Sequence, residues 1–133
     1  MKNKLIAGLI TAVLVSQSSY ASSLNKYDLE KRSLEVSSQL IRIAQLNSSD
    51  SCAGDITVAA AYVESAAHDL QRDKHLTALS SLTYGQNELK EISNIRSHCA
   101  QLATEVKPYF AKVILIKNEL ENEPPPAPDQ TSD

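Results

Sequence analysis

The sequence predicts an all-α fold: a small up-down bundle of about four helices with one disulfide, following a cleaved signal peptide. Apolar residues recur at three- and four-residue steps in four successive segments, which is the spacing of the buried face of an amphipathic helix. Short polar stretches separate these segments, as in bundles of antiparallel neighbours. Tryptophan is absent, phenylalanine and methionine occur once each, and no proline precedes residue 108. The core is therefore expected to consist of aliphatic side chains, alanine and a few tyrosines.

Residues 1–21 have the three parts of a secretory signal. Lys2 and Lys4 supply the positive start, residues 5–15 are apolar, and Ser19 and Ala21 are small residues at the positions that signal peptidase reads. The apolar stretch is shorter than the roughly 20 residues that span a bilayer, and no second run of that length follows. We expect cleavage after Ala21, no membrane insertion of the mature protein, and a periplasmic or secreted location.

The bundle domain is predicted to occupy residues 22–123, and its first two helices are the simplest to place. The first covers residues 24–47, with an apolar stripe formed by Leu29, Val36, Leu40, Ile43 and Leu46. The polar residues 47–51 end it, because short polar side chains favour turns and caps. The second helix opens near Gly54, with Asp55 as its expected N-cap. Its predicted buried side is rich in alanine, which allows close helix approach: Ile56, Ala59, Ala60, Val63, Ala66, Ala67 and Leu70.

Two further helices complete the prediction. A polar break at residues 72–74, with Asp73 as a cap, precedes a third apolar stripe: Leu76, Leu79, Leu82, Leu89, Ile92 and Ile95. The fourth stripe is close to a heptad seam: Leu102, Val106, Tyr109, Val113, Ile116 and Leu120. Pro108 either kinks this helix or stands in the first turn of a helix that begins there. The proline-rich residues 124–133 are expected to be a disordered tail.

The two cysteines, Cys52 and Cys99, are expected to form a disulfide, because exported proteins meet oxidising conditions. Helix lengths support the pairing. The second helix leads away from Cys52 over about 18 residues, or roughly 27 Å, and the third returns over a similar length to end near Cys99. The bond would then join the turn between the first two helices to the junction between the last two. A redox-active pair and a metal site are the alternatives.

Charge and motifs narrow the function classes. After cleavage the chain would carry 11 basic and 16 acidic side chains, a net charge of −5. That balance argues against nucleic-acid binding and against docking on anionic lipid, both of which need clustered basic residues. The sequence contains no Gly-x-Ser-x-Gly elbow, phosphate loop, dinucleotide fingerprint or haem attachment motif. We therefore expect a protein without a cofactor that is not an enzyme.

The histidines raise the possibility of a weak metal site. His68 and His75 flank the predicted turn between the second and third helices, with Asp69 and Asp73 nearby. Two imidazoles and a carboxylate suit a transition-metal ion. His98 is expected at the opposite end of the bundle. Solvated surface histidines are the alternative interpretation, and the sequence predicts no metal centre beyond these two weak candidates.

One short motif in the third helix resembles a known family. The pattern Leu-Thr-x-x-Gln, which Spy-type periplasmic chaperones carry, occurs as Leu82-Thr83-Tyr84-Gly85-Gln86. Those chaperones are small, helical and exported, so the resemblance implies an ATP-independent chaperone that holds unfolded clients. This chain departs from the family in having one copy of the motif, no methionine after residue 1 and a net negative charge. An ordinary helical segment is the alternative.

The fourth helix also carries apolar residues outside its buried stripe. Tyr109, Phe110, Ile114 and Leu115 point around more than one face, so we expect part of this surface to contact a partner. Packing against two neighbouring helices is the alternative. The sequence as a whole predicts an exported protein that acts by binding another protein, as an inhibitor, an immunity factor against a toxin, or an accessory subunit. A chaperone and a weak metal-binding protein are the alternative functions.

Overall fold

The structure, a computed structural model, describes the backbone of residues 6–94 and 98–124, and the side chains from residue 25 onward within those ranges. The described residues form four helices and no strand: α1 (Ile6–Leu46), α2 (Ala53–Gln71), α3 (His75–Ile92) and α4 (Ala100–Glu121). Each helix packs against the next, and α1 also packs against α4. The predicted all-α up-down bundle is therefore confirmed.

Helix α1 is longer than the sequence predicts. It begins at Ile6 rather than near residue 24 and runs without a break through the expected cleavage site at Ala21. Five of the eleven residues 5–15 are leucine or alanine, which have high helix propensity, and no proline interrupts the segment. Cleavage after Ala21 stays a prediction. Within the described residues, no helix has the length and apolar character needed to cross a membrane.

The core follows the predicted stripes closely. All seven positions assigned to α2 are buried, and every helix contributes fully buried side chains, among them Leu40, Ile56, Leu82 and Val106. The assignment is wrong at two helix ends. Leu46, the last residue of α1, is 75% exposed, and Leu76, the second residue of α3, is 76% exposed. Both residues lie in terminal turns of their helices. The apolar spacing continues into these turns, but within the described residues no neighbouring helix covers them. Ile95 and the tail beyond residue 124 fall outside the described residues.

Small residues allow α2 to lie close to both of its neighbours. On one side, the buried Ser37 Oγ of α1 donates a hydrogen bond of 2.9 Å to the carbonyl oxygen of Ala60. On the other side, a Cβ atom added to Gly85 of α3 would lie 3.1 Å from Cγ2 of Val63. This contact is tighter than ordinary van der Waals packing. The hydrogen bond to Ala60 and the contact at Gly85 show where α2 meets α1 and α3.

The two predicted helix caps are wrong. Helix α2 begins at Ala53, so Asp55 lies within its first turn, where a carboxylate favours the positive end of the helix dipole. Asp50 accepts a hydrogen bond of 2.8 Å from the backbone N–H of Cys52, the actual N-cap residue. Helix α3 begins at His75, two residues after Asp73, which adopts a left-handed φ of 59°. Aspartate is one of the few residues that tolerate this conformation, and it forms the turn instead of capping the helix.

Pro108 lies inside α4, which begins at Ala100. Of the two alternatives that the sequence leaves open, a helix that begins at Pro108 is therefore excluded. Proline lacks the N–H that would bond to the carbonyl of Thr104, four residues earlier. Both residues are exposed, so water reaches the carbonyl that lacks this partner. The helix continues through the proline because its solvent face tolerates the missing bond.

Candidate functional site

An open groove separates α1 from α4 along the side of the bundle. It has a volume of about 620 Å³. Its walls mix apolar and charged side chains from both helices: Arg32, Glu35, Val36, Gln39, Tyr109, Lys112, Leu115 and Ile116. We call this feature the α1–α4 groove.

Helical periodicity explains how these residues line one groove. On α1 they stand at positions 32, 35, 36 and 39, which is one face of a helix. On α4 the buried Ile116 forms the floor together with Val36 of α1. Leu115 lies one position off the buried stripe, so it stands at the rim and is 56% exposed. The groove thus offers an apolar floor beside a large apolar side chain in contact with water.

Two cations are held at the edge of the groove by contacts within the protein. Arg32 forms ion pairs with Asp28, at 3.3 Å, and with Glu119 of α4. Partial burial by itself lowers the pKa of Arg32, but the hydrogen bonds and charges of Glu119 and Asp28 outweigh it, so that the pKa is raised above its ordinary value. The Nζ atom of Lys112 lies 5.5 Å from the ring centre of Tyr109. The rim therefore places one basic side chain on each wall of the groove.

The structure divides the four predicted partner-binding residues into two pairs. Tyr109 and Leu115 line the groove, whereas Phe110 and Ile114 do not. Phe110 packs against the hydrophobic core, and Ile114, four residues further along α4, is half-buried. The apolar pattern of α4 alone does not reveal the α1 wall of the groove. The spacing of residues 32, 35, 36 and 39 indicates that they share one face of α1. Only the packing of α1 on α4 shows that this face lies opposite Tyr109 and Leu115.

A second cluster surrounds the Cys52–Cys99 disulfide, which the structure confirms. The bond joins the residues just before α2 and α4, with a Cα–Cα distance of 5.6 Å, and both cysteines are buried. His98 lies beside it, with Nε2 3.5 Å from Oδ2 of Asp55. One ligand atom from each of these four side chains lies within 4.8 Å of the others. In the described part of the chain, these four side chains form a group of potential metal ligands that lie close enough together to share one ion.

The histidines chosen from the sequence lie elsewhere. His68, near the end of α2, has Nε2 3.5 Å from Oε1 of Glu64 and Nδ1 3.5 Å from Oε1 of Gln71. His75 is the first residue of α3 and is half-buried. Among the described residues, these two histidines belong to no group of three or more metal-ligand side chains. Cys52 stands three residues before Asp55 and His98 directly precedes Cys99, so the predicted pairing of the cysteines also brings Asp55 and His98 together, a consequence that the sequence-based prediction did not include.

The Leu-Thr-x-x-Gln segment contributes to the contact between α2 and α3. Leu82 is fully buried, and Thr83 donates its hydroxyl proton to a carbonyl of its own helix at 2.8 Å. Tyr84 stacks on Tyr62 of α2, with ring centres 5.4 Å apart, and Gly85 permits the close approach described above. Each of these four motif residues thus has a packing or hydrogen-bonding role in the bundle.

No protein-family model matches this chain, and neither the curated proteins nor the solved structures include a match to it. The α1–α4 groove and the cluster at the disulfide are therefore the observations from which function is inferred.

Proposed function

We propose that this protein is an exported, non-enzymatic binding protein that takes an amphipathic helix of another protein into the α1–α4 groove. The observation that carries the proposal is the exposed Leu115 at the rim of a groove with an apolar floor and charged edges. An inhibitor, an immunity factor or an accessory subunit acts through such a surface without chemistry of its own. The disulfide supports export, because such bonds persist in oxidising compartments such as the periplasm.

The shape of the groove favours a helix as the bound segment. Two neighbouring antiparallel helices leave a channel parallel to their axes, into which a third helix fits with apolar side chains at i, i+3, i+4 and i+7. Val36 and Ile116 would contact these anchors from below, and Leu115 and Tyr109 from the side. Aromatic residues at such positions often contribute a large part of the binding energy.

The charged side chains at the rim favour a partner helix that carries both acidic and basic residues beside its apolar face. Arg32 stands on the α1 wall, where it pairs with Asp28 and Glu119, and Lys112 stands on the α4 wall. Glu35 adds one negative group on the α1 wall, which would suit a single basic residue of the partner. Complementary charges of this kind mainly increase the association rate and the selectivity, whereas the apolar contacts set most of the affinity.

The test is to recover the partner with a tagged, oxidised chain from an extract of exported proteins, in parallel with two leucine variants. Leu115→Asp places a charge at the groove, where an apolar anchor would otherwise be buried. Leu76→Asp is the matched control, because Leu76 is a still more exposed leucine on α3, outside the groove. We expect wild type and Leu76→Asp to retain a stoichiometric partner, and Leu115→Asp to bind it at least about tenfold more weakly, a loss of about 1.4 kcal/mol. Equal retention by both variants contradicts the proposal.

A chaperone activity is the second candidate, and the α2–α3 face is the observation that favours it. Val58 and Tyr84 are exposed there, and Tyr84 stacks on Tyr62. A holdase would suppress the aggregation of a denatured model substrate without ATP and without a stoichiometric partner. Suppression that is lost in Tyr84→Ser but kept in Leu115→Asp would replace the groove proposal with this one.

A further inference from the structure

The residues around the disulfide have the donor types and the spacing of a zinc site. In tetrahedral zinc sites the metal lies about 2.0–2.2 Å from nitrogen and oxygen and about 2.3 Å from sulfur, which places the ligand atoms roughly 3.3–3.8 Å apart. The Nε2 atom of His98 and the Oδ2 atom of Asp55 are already 3.5 Å apart. All four potential ligand atoms of the cluster lie within 4.8 Å of one another. Separating the two sulfur atoms is the main movement that a bound ion requires.

The helix starts hold these ligands in place. Cys52 is the N-cap of α2, and Asp55 lies in the first turn of the same helix. Cys99 is the N-cap of α4, and His98 is its immediate neighbour. Each helix thus brings one sulfur and one harder donor to the same point. A set of two thiolates, one imidazole and one carboxylate suits a borderline-soft divalent ion such as Zn²⁺ better than Mg²⁺ or Ca²⁺.

The surroundings also favour a cation. A small cavity of about 90 Å³ lies next to the disulfide. Asp55, His98 and Cys99 line it together with Glu88 and Glu91 of α3. Two thiolates and the Asp55 carboxylate would carry three negative charges, so an ion of charge +2 removes most of their mutual repulsion. The glutamates add a negative field around the site.

From these observations we propose that the reduced chain binds one Zn²⁺ ion through Cys52, Asp55, His98 and Cys99, and that formation of the disulfide closes the site. Opening the site requires a dithiol reductant, which supplies two electrons and two protons to the disulfide and becomes a disulfide itself. Binding of the ion then releases the two thiol protons. In the reverse direction, a disulfide oxidant takes up two electrons as the Cys52–Cys99 bond forms, and the ion leaves.

This proposal goes beyond partner binding and does not depend on it, since the cluster and the groove share no residue. In the oxidised chain the two sulfur atoms are bonded to each other, so neither is available as a thiolate. The zinc-bound form therefore belongs to the chain before its disulfide forms, or to a chain that a dithiol has reduced. Because bound thiolates are shielded from exchange, the ion should slow oxidation of the pair.

The test uses Co²⁺ as a spectroscopic probe and Zn²⁺ for stoichiometry. We expect the reduced full chain to bind one equivalent of Zn²⁺, and its Co²⁺ form to show thiolate charge-transfer bands and the strong visible absorption of a tetrahedral site. The oxidised chain should show neither. His98→Ala and Asp55→Asn should each weaken binding to the reduced chain by about tenfold or more, since even residues that only support metal ligands have effects of that size. His68→Ala and His75→Ala are the matched controls and should bind like wild type.

Circular dichroism of the same samples covers the case in which the reduced chain unfolds. If it unfolds, Zn²⁺ should restore the helical signal, because the ion would bind the folded site. If it stays folded, Zn²⁺ should raise its melting temperature, and less so in His98→Ala. The proposal is overturned if the reduced chain shows no thiolate-to-cobalt band. It is equally overturned if His98→Ala and Asp55→Asn both bind as tightly as wild type, which would indicate binding by the thiols alone.

Discussion

Breaking the Cys52–Cys99 bond should lower the free energy of unfolding by about 4 kcal/mol. The bond joins residues 47 positions apart. In the chain-entropy model, closing a loop of that length removes about 14 cal/mol/K from the entropy of the unfolded chain, or about 4 kcal/mol at 25 °C. Small domains have total stabilities of about 5–15 kcal/mol, so the bundle should remain folded without the bond but with much of its margin lost.

Urea unfolding followed by circular dichroism measures this effect. We would compare the oxidised chain, the same chain with a dithiol reductant and a metal chelator, and the double variant Cys52→Ala/Cys99→Ala. With a denaturant slope of about 2 kcal/mol/M, the midpoint should fall by about 2 M on reduction. The reduced chain retains both buried sulfur atoms, so the difference between its midpoint and that of the oxidised chain measures the effect of the cross-link alone. The midpoint of the double variant also includes the loss of packing by the two sulfur atoms. Equal midpoints for the oxidised and reduced chains would refute the reasoning.

Three further predictions test the core and the helices by the same urea assay. Leu40→Ala, at a fully buried position, should lower the free energy of unfolding by about 2–5 kcal/mol. Leu46→Ala, at a position that is 75% exposed, should change it by less than about 0.5 kcal/mol. Similar losses for the two variants would contradict the assigned core. Gly85→Leu should lower the free energy of unfolding by about 1–3 kcal/mol or more, because even a Cβ atom at this position would press on Val63. A variant as stable as wild type would contradict the close contact. Pro108→Ala should stabilise the chain by about 1–3 kcal/mol, because it restores a helical N–H at an exposed position; a loss of stability would show that the proline has another role.

Periodicity was sufficient to predict the fold because the core is aliphatic and the apolar residues recur at helical spacing between the polar turns. The seven buried positions of α2 were predicted correctly, since that helix has packed neighbours along its whole length. The errors at Leu46 and Leu76 have one cause. A three- and four-residue pattern does not show where the neighbouring helix ends. The wrong caps at Asp55 and Asp73 also concern helix ends, where several polar residues compete for the same backbone groups.

The two clusters differ in how far the sequence predicts them. The cysteine pairing followed from compartment and helix length, and Asp55 and His98 could have been added from their spacing to the cysteines. The sequence predicts the α4 wall of the α1–α4 groove but not its α1 wall. Tyr109 and Leu115 were visible as apolar residues outside the α4 stripe, but their opposite wall depends on which helices become neighbours. Such pairing is set by packing of the whole bundle and not by the local pattern.

The position of the disulfide also divides the four helices into an inner pair and an outer pair. The covalent loop that it closes contains all of α2 and α3, whereas α1 and α4 lie outside it. These two outer helices are the walls of the groove, and their mutual contact is the least extensive among the neighbouring pairs. Because the bond joins the residues just before α2 and α4, it also holds the start of α4 near the end of α1. Farther along the groove the two walls are joined by noncovalent contacts such as the Arg32–Glu119 ion pair, so the width of the groove can change more easily there than at the cross-linked end.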